Sequence, residues 1–126
     1  MPRIETGIDL IEISRFNEIN PKIKQRFLQR VFTQAEIAIS SNRDEYYAGL
    51  FAVKEAGSKA LGTGIGDIRW QDLEILPDNH GKPRLVLHGK AADIARRNGW
   101  TSWSVSITHT GITAAAVVTA LIAEQE

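Results

Sequence analysis

Asp9 and Glu55 are the residues of this chain best suited to do chemistry. Asp9 lies inside the apolar run Ile8-Asp9-Leu10-Ile11, and Glu55 lies inside the weakly charged stretch Tyr47-Ala48-Gly49-Leu50-Phe51-Ala52-Val53-Lys54-Glu55-Ala56. A carboxylate in apolar surroundings loses hydration, and must be compensated by a cation, by hydrogen bonds or by holding a proton at a raised pKa. A metal ion answers two of these needs at once. Two acids, a hard cation and a phosphate-bearing substrate are the ingredients of magnesium chemistry, because Mg2+ prefers oxygen ligands and keeps several of its waters.

Four other features bear on that chemistry. Lys59 follows Glu55 by four residues, so on a helix the two share a face, with Ala48 and Ala52 earlier on the same stripe leaving space there. An ordinary surface Glu-Lys pair, contributing roughly a few tenths of a kcal/mol, is the plainer reading of that spacing. Gly7, two residues before Asp9, leaves room for a ligand or for another backbone. His109 falls at the end of a hairpin strand, where an imidazole could donate to a phosphate or simply face water. Between Arg15 and Arg30 the chain carries Lys22, Lys24 and Arg26, with nothing acidic from Glu18 to Glu36. This basic island is either a solvated helix face or a dock for an acidic partner.

The elements that must position these residues follow from periodicity. Ile4 to Ile13 alternates as a strand, with Ile4, Ile8 and Leu10 on one face and Glu5, Gly7, Asp9, Ile11 and Ile13 on the other. Thr33 and Glu36 form a capping box, predicting a short helix to about Ser40 whose role is structural. The main helix is expected from Arg43 to Leu61, stopped by Gly62. The glycines of Gly62-Thr63-Gly64-Ile65-Gly66 make a poor phosphate loop by themselves, since a P-loop precedes its helix and ends in Gly-Lys-Ser/Thr. Leu73 to Leu76 and Arg84 to Leu87 read as strands that begin a meander, Gly89 to Asn98 as a helix, and Trp103 to Thr108 and Ala114 to Ile122 as a closing hairpin. The sum is one compact α+β domain over residues 1–126, an antiparallel sheet packed against a long helix.

Composition narrows the function further. With 126 residues there is room for one core, and 15 basic residues balance 15 acidic ones, so no bulk field grips nucleic acid or an anionic membrane. Cysteine is absent, which excludes a thiol nucleophile and thiolate metal sites, and His80, His88 and His109 are too scattered to suggest zinc. No basic leader and no membrane-length apolar run is present, so a cytoplasmic protein is expected.

Four separated segments, taken together, carry a resemblance. Gly7-Ile8-Asp9-Leu10-Ile11-Glu12-Ile13, Phe32-Thr33-Gln34-Ala35-Glu36, Phe51-Ala52-Val53-Lys54-Glu55-Ala56 with Lys59-Ala60-Leu61-Gly62-Thr63-Gly64, and Ser106-Ile107-Thr108-His109 resemble, in order and spacing, the holo-acyl-carrier-protein synthases, 4'-phosphopantetheinyl transferases of the short trimeric type. The resemblance implies transfer of 4'-phosphopantetheine from coenzyme A to a serine of an apo acyl carrier protein, releasing adenosine 3',5'-bisphosphate. It implies that Asp9 and Glu55 hold Mg2+, that Glu55 or a water it orients takes the serine proton, and that Lys59, Gly64 and His109 bind coenzyme A. It gives Arg15, Lys22, Lys24, Arg26 and Arg30 an acidic carrier protein as target, and it implies a homotrimer with sites at the subunit junctions. Two positions depart from the family pattern: Leu50 stands where an arginine is common, and Gly57 where a bulky apolar residue is common. They motivate an alternative, a coenzyme A or carrier-protein binding module of this fold without turnover. A magnesium-dependent nucleotide hydrolase ranks last, for want of a P-loop.

Overall fold

Alternation along the first apolar run produces strand β1 (Arg3–Glu12), and only one of its two faces, through Gly7 and Ile11, is buried. The computed structural model describes residues 1–123. After β1 come α1 (Ser14–Asn17), α2 (Pro21–Val31), α3 (Gln34–Ser40) and the long helix α4 (Asp44–Leu61). A 3-10 turn (Trp70–Asp72), β2 (Leu73–Pro77), β3 (Pro83–Leu87), α5 (Gly89–Arg97), β4 (Trp100–His109) and β5 (Thr113–Ile122) complete the order. No helix among the described residues is long and apolar enough to cross a membrane.

Strands β1, β5 and β4 form one antiparallel sheet in the order β1-β5-β4, while β2 and β3 pair only with each other. The meander expected from the sequence is therefore split, with α5 carrying the chain from the β2-β3 hairpin to the main sheet. The inner face of that sheet buries Gly7 and Ile11 from β1, Val105 from β4, and Ala114, Ala116, Val118, Ala120 and Ile122 from β5. Small alanines along β5 let α4 lie close. Its Ala48, Ala52 and Ala56 are fully buried, so the alanine stripe expected to leave open space beside Glu55 is filled by helix packing.

The closest approach is at Gly7. A Cβ on that residue would stand 1.8 Å from the Ala56 carbonyl oxygen and 2.8 Å from the Ala60 nitrogen, inside van der Waals contact with backbone atoms that cannot move aside. The gap beside Asp9 thus belongs to another backbone rather than to a ligand. Gly57 also faces the core, with its missing Cβ 2.6 Å from Leu73 Cδ2. It admits β2 to the helix surface and opens no space toward the glycine turn.

Helix termini match the sequence signals. Asn20 Oδ1 accepts from the Lys22 amide at 2.9 Å, and Thr33 and Glu36 make the reciprocal capping box. Gly62 ends α4 in the left-handed conformation (φ 79°), and the Thr63 amide donates back to the Ser58 carbonyl. Glu36 does more than cap. It is fully buried, its Oε1 accepts from Lys54 Nζ at 2.9 Å, and its Oε2 accepts from the Ile75 amide. Lys54 is equally buried and also donates to the carbonyls of Trp70 and Leu73. One ion pair thereby ties α4 to α3, to the 3-10 turn and to β2.

Removing one partner of a buried, hydrogen-bonded pair leaves the other charge uncompensated. Lys54→Met is expected to lower unfolding free energy by about 3–5 kcal/mol, and the double variant with Glu36→Leu to recover most of it; urea denaturation measures both.

Candidate active site

Asp9 and Glu55 meet where β1 crosses α4. Asp9 shares the inner face of β1 with Gly7 and Ile11, so the contact at Gly7 sets how near its carboxylate comes to the helix. Glu55 is half-buried on the flank of α4, and Lys59 is one turn further along and exposed. Lys59 Nζ donates to Asp9 Oδ1 at 3.2 Å and to the Ile8 carbonyl at 3.0 Å. The Asp9 side chain is only 19 % exposed, whereas that of Lys59 is 55 % exposed. The pair predicted between Glu55 and Lys59 is therefore redirected: the lysine spans from helix to strand.

Burial is the largest influence on Glu55 and raises its pKa above the ordinary carboxylate value; the negative charge of Asp9 adds to this, against the opposing charges of Lys59 and Arg15. Arg15 reaches the site from α1, its guanidinium carbon 5.8 Å from the centre of the Phe51 ring, and Phe51 precedes Glu55 by one helical turn. Sequence assigned Arg15 only to partner docking. Its second neighbourhood depends on α1 folding back over α4, which no local pattern reveals.

The donor set fits a hard cation. An ammonium already occupies one carboxylate oxygen and one backbone carbonyl, the two oxygen types that magnesium accepts. No group of three or more His, Cys, Asp or Glu side chains converges among the described residues. A divalent ion held here would draw the rest of its shell from water and substrate phosphates, as magnesium commonly does.

His109 lies elsewhere. His109 is opposite Ala114, which in turn is opposite Ile11, placing the imidazole two strand spacings, roughly 10 Å, from β1. Its Nδ1 lies 3.1 Å from the Thr110 carbonyl oxygen, and it lines a cavity of about 240 Å³ with Arg43, Tyr46, Leu50 and Ile107. Leu50 gives that cavity an apolar wall, and Arg43 at the N-cap of α4 supplies a cation at its rim. Gly64 lies just past the α4 cap, with open space where a Cβ would stand. Within one chain, then, Asp9, Glu55 and Lys59 come together, and His109 stands apart from them.

The basic island divides as well. Lys22, Arg26 and Arg30, spaced by four on α2, are exposed, and so is Arg15 on α1. Lys24 is not free, because its Nζ bonds Asp44 of α4 at 2.8 Å. Beside the stripe runs an apolar groove of about 430 Å³ lined by Arg15, Phe16, Ile23, Phe27 and Phe51.

A raised carboxyl pKa has a definite sign in stability. The folded state holds the Glu55 proton to higher pH than the unfolded chain does, so this residue's contribution is full below the unfolded pKa and is lost as pH rises through the folded one. Glu55→Gln is therefore expected to be at least as stable as the parent at pH 7 and to flatten that loss. Carbon-13 NMR titration of metal-free protein should find the Glu55 midpoint lowered in Asp9→Asn.

Comparison with known proteins places this geometry in context. Residues 5–117 match the family model of the 4'-phosphopantetheinyl transferase superfamily. A holo-[acyl-carrier-protein] synthase of Solidesulfovibrio magneticus is 48 % identical over 117 residues, covering 89 % of this chain and 93 % of the relative. That of Natranaerobius thermophilus is 40 % identical over 116 residues, covering 90 % and 93 %. Among solved structures, the Helicobacter pylori holo-[acyl-carrier-protein] synthase in complex with coenzyme A superposes with a TM-score of 0.82 at 33 % identity, over 91 % of this chain and 98 % of that one. A sequence this similar over nearly its whole length, on a fold this close, means that the chain belongs to the holo-[acyl-carrier-protein] synthase family of the 4'-phosphopantetheinyl transferase superfamily.

Proposed function

We infer that this protein transfers 4'-phosphopantetheine from coenzyme A to a serine hydroxyl of an apo acyl carrier protein. The observation that carries the reading is the Asp9–Lys59 contact beside Glu55, in a chain of this family. In the reaction the serine oxygen forms a bond to the β-phosphorus of coenzyme A, and the bond from that phosphorus to the departing adenosine 3',5'-bisphosphate breaks.

Asp9 and Glu55 would hold Mg2+, which when bound there neutralises charge on the phosphates and so lowers the cost of spreading it over the transferring group. Glu55, or a water that it orients, is placed beside Asp9 to accept the serine proton. Lys59, with a flexible and half-exposed stem, can turn its ammonium to phosphate oxygens as a point charge. His109 and Arg43, around their shared cavity, offer donors for the nucleotide phosphate, and Gly64 lets coenzyme A pass close to the backbone.

One protomer keeps His109 apart from the acids, so a complete site calls for His109 of one copy beside Asp9 of another. The outer face of the main sheet supports such an assembly. Ile4, Ile8 and Leu10 are 67, 65 and 71 % exposed, and Leu121 lies near them on β5, an apolar patch suited to burial between copies of a homotrimer. The carrier protein is acidic, and Arg15, Lys22, Arg26 and Arg30 border an apolar groove that could seat its hydrophobic residues. Lys24, spent on Asp44, contributes less.

Asp9→Ala and Glu55→Ala are each expected to abolish the mass gain of apo carrier protein incubated with coenzyme A and Mg2+, while circular dichroism stays unchanged. Retained transfer in either would refute the assignment, and coenzyme A binding without any transfer by the parent protein would favour the binding module. Charge reversal at Lys22 and Arg26 should raise KM for carrier protein about tenfold at low salt, shrinking as salt rises, and leave KM for coenzyme A unchanged; steady-state kinetics decides.

A further inference from the structure

Lys59 holds a conformation that phosphate binding alone does not explain. More than half of its side chain is exposed, yet the ammonium does not extend into water. It turns back onto β1, donating both to the Ile8 carbonyl and to Asp9 Oδ1. Ordering a long lysine stem costs rotamer entropy, and an isolated exposed ion pair offsets little of that. The second bond, to a backbone carbonyl held rigidly in the sheet, is what selects this conformer.

The consequence is that an Asp9 oxygen already has a cation. The charge of Lys59 also acts on Glu55, one turn earlier on α4. An acid pair at the meeting of strand and helix thus carries its own counter-ion, supplied by the same helix. A divalent ion brought to Asp9 would sit within a few ångströms of that ammonium, where repulsion between like charges is strong and only partly screened.

We propose that Lys59 is an internal counter-ion of the Asp9–Glu55 pair that competes with a divalent cation for Asp9 Oδ1, and that it yields when substrate phosphate oxygens draw the ammonium off β1. This rests on the reading of Asp9 and Glu55 as the metal-holding pair. It gives Lys59 two tasks in sequence, first neutralising the acids and then contacting phosphate. By linkage, a substrate that removes the ammonium strengthens metal binding, and the metal strengthens substrate binding by the same factor.

The test uses Mn2+ as probe, titrated into the full-length protein without coenzyme A and followed by electron paramagnetic resonance at low ionic strength. Lys59→Met is expected to bind Mn2+ about tenfold more tightly than the parent, and Asp9→Asn to abolish binding in both backgrounds. Binding that is equal or weaker in Lys59→Met, with Asp9→Asn still abolishing it, overturns the counter-ion role and leaves the metal-holding pair standing. Mn2+ binding that Asp9→Asn does not change, or no binding in any variant, overturns both. Lys59→Gln removes the charge while keeping a donor for the Ile8 carbonyl. Should Lys59→Met fail to show a native thermal transition, the same gain in Lys59→Gln supports the proposal, and no gain there refutes it.

Discussion

Everything in this molecule depends on the contact between the backbone of β1 at Gly7 and the backbone of α4 at Ala56 and Ala60. A Cβ at residue 7 would overlap a carbonyl oxygen of the helix, so any other residue must push strand and helix apart. The distance matters because Asp9 and Glu55 hang from opposite sides of that junction. Their mutual repulsion, and the reach of Lys59 from helix to strand, both depend on how tightly the two backbones are pressed together.

That pressure is sustained by contacts on another face of the helix. Lys54, next to Glu55 in sequence and so about 100° around the helix from it, is locked by Glu36 and by two backbone carbonyls. Burying both charges is costly, and burial pulls the Lys54 pKa down, but the pair leaves few of its hydrogen-bonding groups unsatisfied. Adjacent residues on one helix thus divide the labour. Lys54 fixes the rotation and depth of α4, and Glu55 presents its carboxylate at the rim that this rotation creates.

Much of the fold was legible because the signals are local. The box Thr33-Gln34-Ala35-Glu36, the Gly62 stop and the alternation from Ile4 to Ile13 each use only neighbouring residues, and each element forms where they place it. The faces of β1 were also readable, since a period of two leaves no freedom once Gly7 and Ile11 point inward. The split of the β2-β3 hairpin from the main sheet was not. Strand pairing depends on which edges the chain brings together after α5, and both arrangements satisfy the same alternation. Lys24 reads as one more member of a basic island until Asp44, twenty residues on, is folded against it.

By itself, the sequence determined the kind of chemistry available: two acids, a lysine and a histidine, no thiol, in segments whose order and spacing mark a family. Residue types and local periodicity carry that information without any long-range contact. Tertiary structure alone decided which of these groups meet. It turned Lys59 away from its helical neighbour toward Asp9, placed His109 two strands from the acids, and filled with helix backbone the space that Gly7 leaves beside Asp9. The place of His109 is set by the strand order β1-β5-β4, and the other two outcomes by the approach of α4 to the sheet; both are fixed by packing among residues far apart in the chain.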